Sequence, residues 1–165
     1  MPKIRKTTQY LMPVSRKKPG ALDYDIYPVH DLGDGTVSSD FSELAARIPE
    51  RGTVIVDGYV GVRFDEFVSS LNEALSAVGK TALWWSVDSA LKSPAEIDKM
   101  IEPFLGGDDP LFGYRASLEL KDFFDGDKLA SIKADASAPL NIIYGIGASL
   151  AGWEGTLIYL DIPKN

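Results

Sequence analysis

The sequence predicts an α/β fold of three layers, a mostly parallel sheet with helices flanking it. Three observations point there. Thr53, Val54, Ile55 and Val56 form a short β-branched run, as expected of a strand buried on both faces. Asp57-Gly58-Tyr59-Val60-Gly61 breaks that run with two glycines, and the apolar positions Phe64, Phe67, Val68, Leu71, Leu75 and Val78 then follow a helical period. A second strand-like run over 81–86, holding Ala82, Leu83, Trp84 and Trp85, comes one helix later. That spacing suits a right-handed parallel crossover, the second half of a βαβ unit.

The remaining elements are placed in order along the chain. Tyr24, Ile26, Tyr27 and Val29 suggest a strand, with Pro28 setting it near a sheet edge. Asp-Leu-Gly-Asp-Gly over 31–35 is a turn. Asp40 and Glu43 have the spacing of a capping box, and Phe41, Leu44, Ala45 and Ile48 continue as a short helix that Pro49 ends. Ser93-Pro94-Ala95-Glu96 is the clearest helix start: Ser93 caps, Pro94 takes the first helical position and Glu96 closes the box. Ile97, Met100, Ile101, Phe104 and Leu105 give that helix its apolar face. A loop follows over 106–115, long enough to serve as a flap. Phe123, Phe124, Leu129 and Ile132 mark a helical segment broken near Gly126. Strands are expected over 140–144, before Gly145-Ile146-Gly147, and over 156–162, where Pro163 stops the last one.

Composition bounds the answer. A chain of 165 residues with 45% hydrophobic and 25% charged residues suits one domain with a single core. There is no cysteine, which excludes disulfides and thiolate metal sites. No apolar run approaches the ~18 residues of a membrane span, and the start lacks the apolar core of a secretory signal, so a cytoplasmic location is expected. The net charge of −7 is unevenly spread: residues 1–20 hold Lys3, Arg5, Lys6, Arg16, Lys17 and Lys18 and no acid. Without those six the chain has 11 basic and 24 acidic residues, a net of −13. Such a body repels a nucleic-acid backbone. The expected organisation is therefore a basic, flexible tail over 1–20 and one α/β domain over 21–165, with neither nucleic acid nor membrane as partner.

The glycine turn after the first core strand invites comparison with phosphate-binding loops. A P-loop spaces its residues G-x-x-x-x-G-K-[ST]. Starting from Gly58, the second glycine falls on Arg63, the lysine on Phe64 and the hydroxyl on Asp65. Taking Gly61 as the second glycine puts Val62 at the lysine and Arg63 at the hydroxyl, so neither register fits. Asp65 and Glu66 also stand in the first turn of the helix, where they repel a polyphosphate that its N-terminus would otherwise attract. His30 is the single histidine, with no nucleophile placed beside it by sequence. Asp57 and Asp161 each end a strand, where ligand groups gather in open parallel sheets, though each reads first as an ordinary strand-terminating acid. A candidate ligand site takes in Asp57, Gly58, Gly61, Arg63, Asp88 and Gly145 at the strand ends, with Arg115 on the long loop as the cation for a phosphate group. The alternative is a sheet end closed by turns, without a ligand.

Several stretches taken together resemble the amino-terminal region of long bacterial class I mannose-6-phosphate isomerase-like proteins. They are Tyr24-Asp25-Ile26-Tyr27-Pro28, Val56-Asp57-Gly58-Tyr59-Val60-Gly61-Val62, residues 93–98, Phe112-Gly113-Tyr114-Arg115, Asp122-Phe123-Phe124-Asp125, Tyr144-Gly145-Ile146-Gly147-Ala148 and Tyr159-Leu160-Asp161-Ile162-Pro163. The resemblance covers about 24–165. It implies an α/β domain distantly similar to P-loop nucleoside kinases, set ahead of a cupin isomerase domain. That isomerase site is built from two histidines, a glutamate and a glutamine around a zinc-like metal. This chain has His30 and Gln9 alone of the first and last types, so zinc would belong to a cupin domain outside it, and no catalytic residue carries over. Three functions remain open. The first is a non-catalytic accessory domain that binds a sugar phosphate or a partner cupin domain. The second is a small-molecule kinase with a degenerate P-loop. The third is a structural domain for self-association.

Overall fold

The β-branched run at the centre of the chain becomes the centre of the sheet. In the computed structural model, which describes residues 37–38, 40–109 and 112–162, β1 (Gly52–Gly58) lies between two parallel neighbours. β3 (Leu140–Tyr144) pairs on one side, Val54 opposite Ile142, and β4 (Thr156–Leu160) on the other, Val56 opposite Ile158. β2 (Ala82–Ser86) pairs with β3, giving the order β2-β3-β1-β4 with every pairing parallel. The predicted strands over 53–56, 81–86, 140–144 and 156–162 are thus all present, each within a few residues of its expected bounds. The basic tail over 1–20, His30, the strand over 24–29 and the turn over 31–35 lie outside the described residues. The sheet and its flanking helices all belong to one compact unit, Ser38–Asn165.

Alternation along β1 divides the core into two layers, because successive side chains point to opposite faces. Val54 and Val56, with Leu140 and Ile142, face α1 (Phe41–Arg47) and α2 (Phe64–Ala77), where Leu71 and Leu75 are fully covered. Ile55 and Ile143 face the opposite way, toward α4 (Gly126–Ser131) and the short 3-10 turns Val87–Ala90 and Ala148–Ala151. The two adjacent tryptophans obey the same rule. Trp84 joins the α2 side, its Nε1 donating to Asn72 Oδ1 at 3.0 Å, and Trp85 joins the other, its ring 6.4 Å from that of Trp153. Both serve packing, as their position in the strand implies.

The helix signals resolve as local hydrogen bonds. Asp40 accepts from the backbone N–H of Ser42 and Glu43 and caps α1. Ser93 and Glu96 form the reciprocal capping box of α3 (Pro94–Ile101), which tightens into a 3-10 turn over Glu102–Phe104 rather than running helical to 105. Pro103 sits inside that tightened turn, where a proline cannot donate to an α-helical ladder. The broken helical segment is a 3-10 turn, Leu120–Phe123, followed by α4, which Asp125 caps. One support has no local signal: Lys80 Nζ donates to the carbonyls of Ala45, Ala46 and Ile48, satisfying the end of α1 from the far end of α2. No buried side-chain nitrogen or oxygen among the described residues lacks a partner.

Candidate functional site

Because all four strands run the same way, their carboxyl ends share one end of the sheet, at Gly58, Ser86, Tyr144 and Leu160. In parallel sheets this is the end where diverging loops form ligand sites. It carries most of the residues singled out from the sequence, and the geometry gives each a distinct place.

Asp57 is the best-connected of them. It is 9% exposed, and its carboxylate faces the β3–β4 connection. Oδ1 accepts the N–H of Gly58 at 2.7 Å and of Gly147 at 2.9 Å, and Oδ2 accepts the N–H of Ser149 at 3.0 Å. Burial raises its pKa, but the Ser149 hydroxyl and these three N–H groups together outweigh burial and hold the carboxyl below the usual aspartate value. A carboxylate held in this way stays ionised and has its acceptor sites turned inward. It acts as a structural tie between β1 and the β3–β4 connection.

The other residues fall into two groups. Gly145 donates its N–H to the Val56 carbonyl at 3.1 Å, which sets it beside β1, and its φ of +124° suits glycine alone. A methyl group there would meet Val87 Cγ2 at 2.7 Å and lie 3.6 Å from Asp88 Oδ1, so Gly145 and Asp88 are neighbours. Asp88 is exposed and its N–H donates to the Ser86 hydroxyl. Gly58 packs against the Leu160 backbone and Gly61 against Ile162, so the β1–α2 turn closes onto the end of β4. Arg63 is the N-cap of α2, and its guanidinium forms an ion pair with Glu66 at 2.5 Å.

Arg115 lies exposed on the loop after α3, and that loop is tied at Tyr114, whose N–H donates to the Phe104 carbonyl at 2.8 Å. The sheet end therefore gathers Asp57, Gly58, Asp88 and Gly145, with Gly61 and Arg63 along its β4 side. Tyr114, next to Arg115 in the chain, is tied to the turn that ends α3. Gly147 and Ser149, the donors that engage Asp57, were missed by sequence reasoning. The available signal was the run Gly-Ile-Gly-Ala-Ser directly after a buried strand, in which glycines and small residues bring backbone N–H groups close together.

Chemically, the surface at this end offers the Asp88 carboxylate, main-chain groups and the Asp161 carboxylate, whose Oδ1 accepts the N–H of Ile162 at 2.8 Å. These groups suit hydroxyl hydrogens rather than anions. Among the described residues, no group of three or more histidine, cysteine, aspartate or glutamate side chains is arranged to hold a metal ion. None of their helices is long and apolar enough to cross a membrane. A surface concavity of ≈ 350 Å³ is lined by Asp98, Lys99, Ile101, Glu102 and Leu105 on α3 and its following turn, none of them among the candidate ligand-site residues.

Comparisons with curated proteins and with solved structures gave no match. One family model does match, described as a domain of unknown function (DUF8485), and it spans residues 40–165, from the N-cap of α1 past the last strand. The matched stretch takes in all four strands and the helices that cover them, and on that ground the chain belongs to the DUF8485 family.

Proposed function

We propose that this is a cytoplasmic, non-catalytic accessory domain of a mannose-6-phosphate isomerase-like protein, and that it recognises a sugar phosphate through the loops at the carboxyl end of its sheet. One observation carries the reading: the groups at the glycine turn that would have to act on a phosphate are already engaged within the fold. Asp57 is taken up by Gly58, Gly147 and Ser149, and Arg63 by Glu66. What stays exposed is Asp88 beside Gly145, a carboxylate next to main chain, which suits sugar hydroxyls. Arg115 would meet the phosphate if its loop reaches over the strand ends. A partner cupin domain would sit against the same end and supply the zinc site.

A kinase reading draws on the central β1, glycine turn and α2. It also requires a free cation at that turn, and the Arg63–Glu66 pair opposes it. The two readings separate by activity and nucleotide binding. Purified protein with added zinc should show no interconversion of mannose 6-phosphate and fructose 6-phosphate, and calorimetry should find no saturable magnesium-ATP binding. Zinc-dependent turnover by this chain, or a nucleotide site lost in Arg63→Ala, would overturn the accessory reading.

A further inference from the structure

The β3–β4 connection is built like a strap. Gly147 and Gly152, with φ of +83° and +68°, bracket the 3-10 turn Ala148–Ala151 and provide a hinge at each end, since both backbones sit in the left-handed region that glycine enters freely. Beyond the second hinge the chain is anchored by Trp153, whose Nε1 donates to the Ile132 carbonyl at 2.9 Å and whose ring stacks edge-on against Trp85. Before the first hinge it is anchored by β3. Between the anchors, the buried side chains of the turn are Ala148 and Ala151, while Ser149 and Leu150 are exposed. Two alanine methyls bury little apolar area, so packing alone holds the turn weakly. The strongest hold is electrostatic: the Asp57 carboxylate takes the N–H of Gly147, the first hinge, and of Ser149. Hydrogen bonds to an ionised group are the strong ones.

We propose that Asp57 is a latch, and that the segment 147–152 is a strap that opens as a local unit about its two glycine hinges when the latch releases, while the sheet stays folded. Opening uncovers the face of β1 at Ile55 and Asp57 and frees the Gly147 and Ser149 N–H groups, so it changes the shape of the carboxyl end of the sheet. The latch is independent of what that end binds.

Native-state amide exchange tests this on the whole chain. In the wild-type protein, the amides of Gly147 and Ser149 should exchange faster than those of Val54 and Ile142. Their exchange should also respond weakly to low concentrations of guanidinium, because a local opening exposes little surface. Asp57→Asn should accelerate exchange at Gly147 and Ser149 by about tenfold or more, the loss of a charged acceptor. The wild-type denaturant dependence decides the matter if Asp57→Asn does not fold. A single protection factor and a single denaturant slope shared by strap and core amides would overturn the proposal, as would unchanged strap protection in Asp57→Asn.

Discussion

Asp57 shows how one residue can be visible in the sequence and its role still be hidden. Its position at the end of a buried strand, before glycine, placed it at the carboxyl end of the sheet. Its partners lie about ninety residues away on the β3–β4 connection, and nothing in local spacing reports them. The consequence for stability has a definite sign. The folded-state pKa is depressed, so the contribution is fully present above the unfolded value of about 3.9 and is lost as pH falls through the lower folded value. Tyr159 is the register partner of Asp57 on β4. At neutral pH, Asp57→Asn should lower stability by about 1–3 kcal/mol. Denaturant titrations from pH 7 to pH 2 should show that gap begin to close as pH falls past the unfolded aspartate value of about 3.9, and close as it falls through the lower folded value, where the wild-type carboxyl becomes protonated and resembles the amide. A gap that is constant with pH would mean the carboxylate charge is not what holds the connection.

At the scale of elements, the signals that worked were those satisfied within four residues or by one periodicity. Ser93 with Glu96, Asp40 before α1 and the helical stripe from Phe64 each predicted an element that forms. Ser93→Ala should destabilise the protein by about 1 kcal/mol, measured by chemical denaturation, because both halves of the capping box are made. An effect within error would mean α3 draws its stability from elsewhere. What the sequence left open are supports contributed across space. Lys80 closing the end of α1 is one. Asn141 is another: it is buried in β3, accepts from Trp85 and from the Asp135 backbone, and returns a bond to the Asp135 carbonyl. A lysine after a helix and an asparagine in a strand are ordinary in sequence, and only the packed fold brings their partners near. The end of α3 differed from expectation for a local reason, the proline at 103.

For the whole molecule, the alternation of β-branched strand, glycine turn and amphipathic helix was enough to fix a parallel three-layer arrangement, with β1 at its centre. Strand order was not legible, because period and length say nothing about which neighbour a strand takes. Of the candidate site, the shared sheet end was legible from the rule that parallel strands finish together. The tie of the Arg115 loop to the end of α3 was not, since Tyr114 and Phe104 meet across a loop with no regular period. The proposed accessory role makes its sharpest demand on that end of the sheet, and chemical-shift mapping with mannose 6-phosphate tests it most directly. The account predicts saturable perturbations clustered on Gly58, Asp88 and Gly145, extending to Arg115 where the phosphate is met. Perturbations confined to the basic residues of the first twenty positions, or none at millimolar ligand, would contradict it.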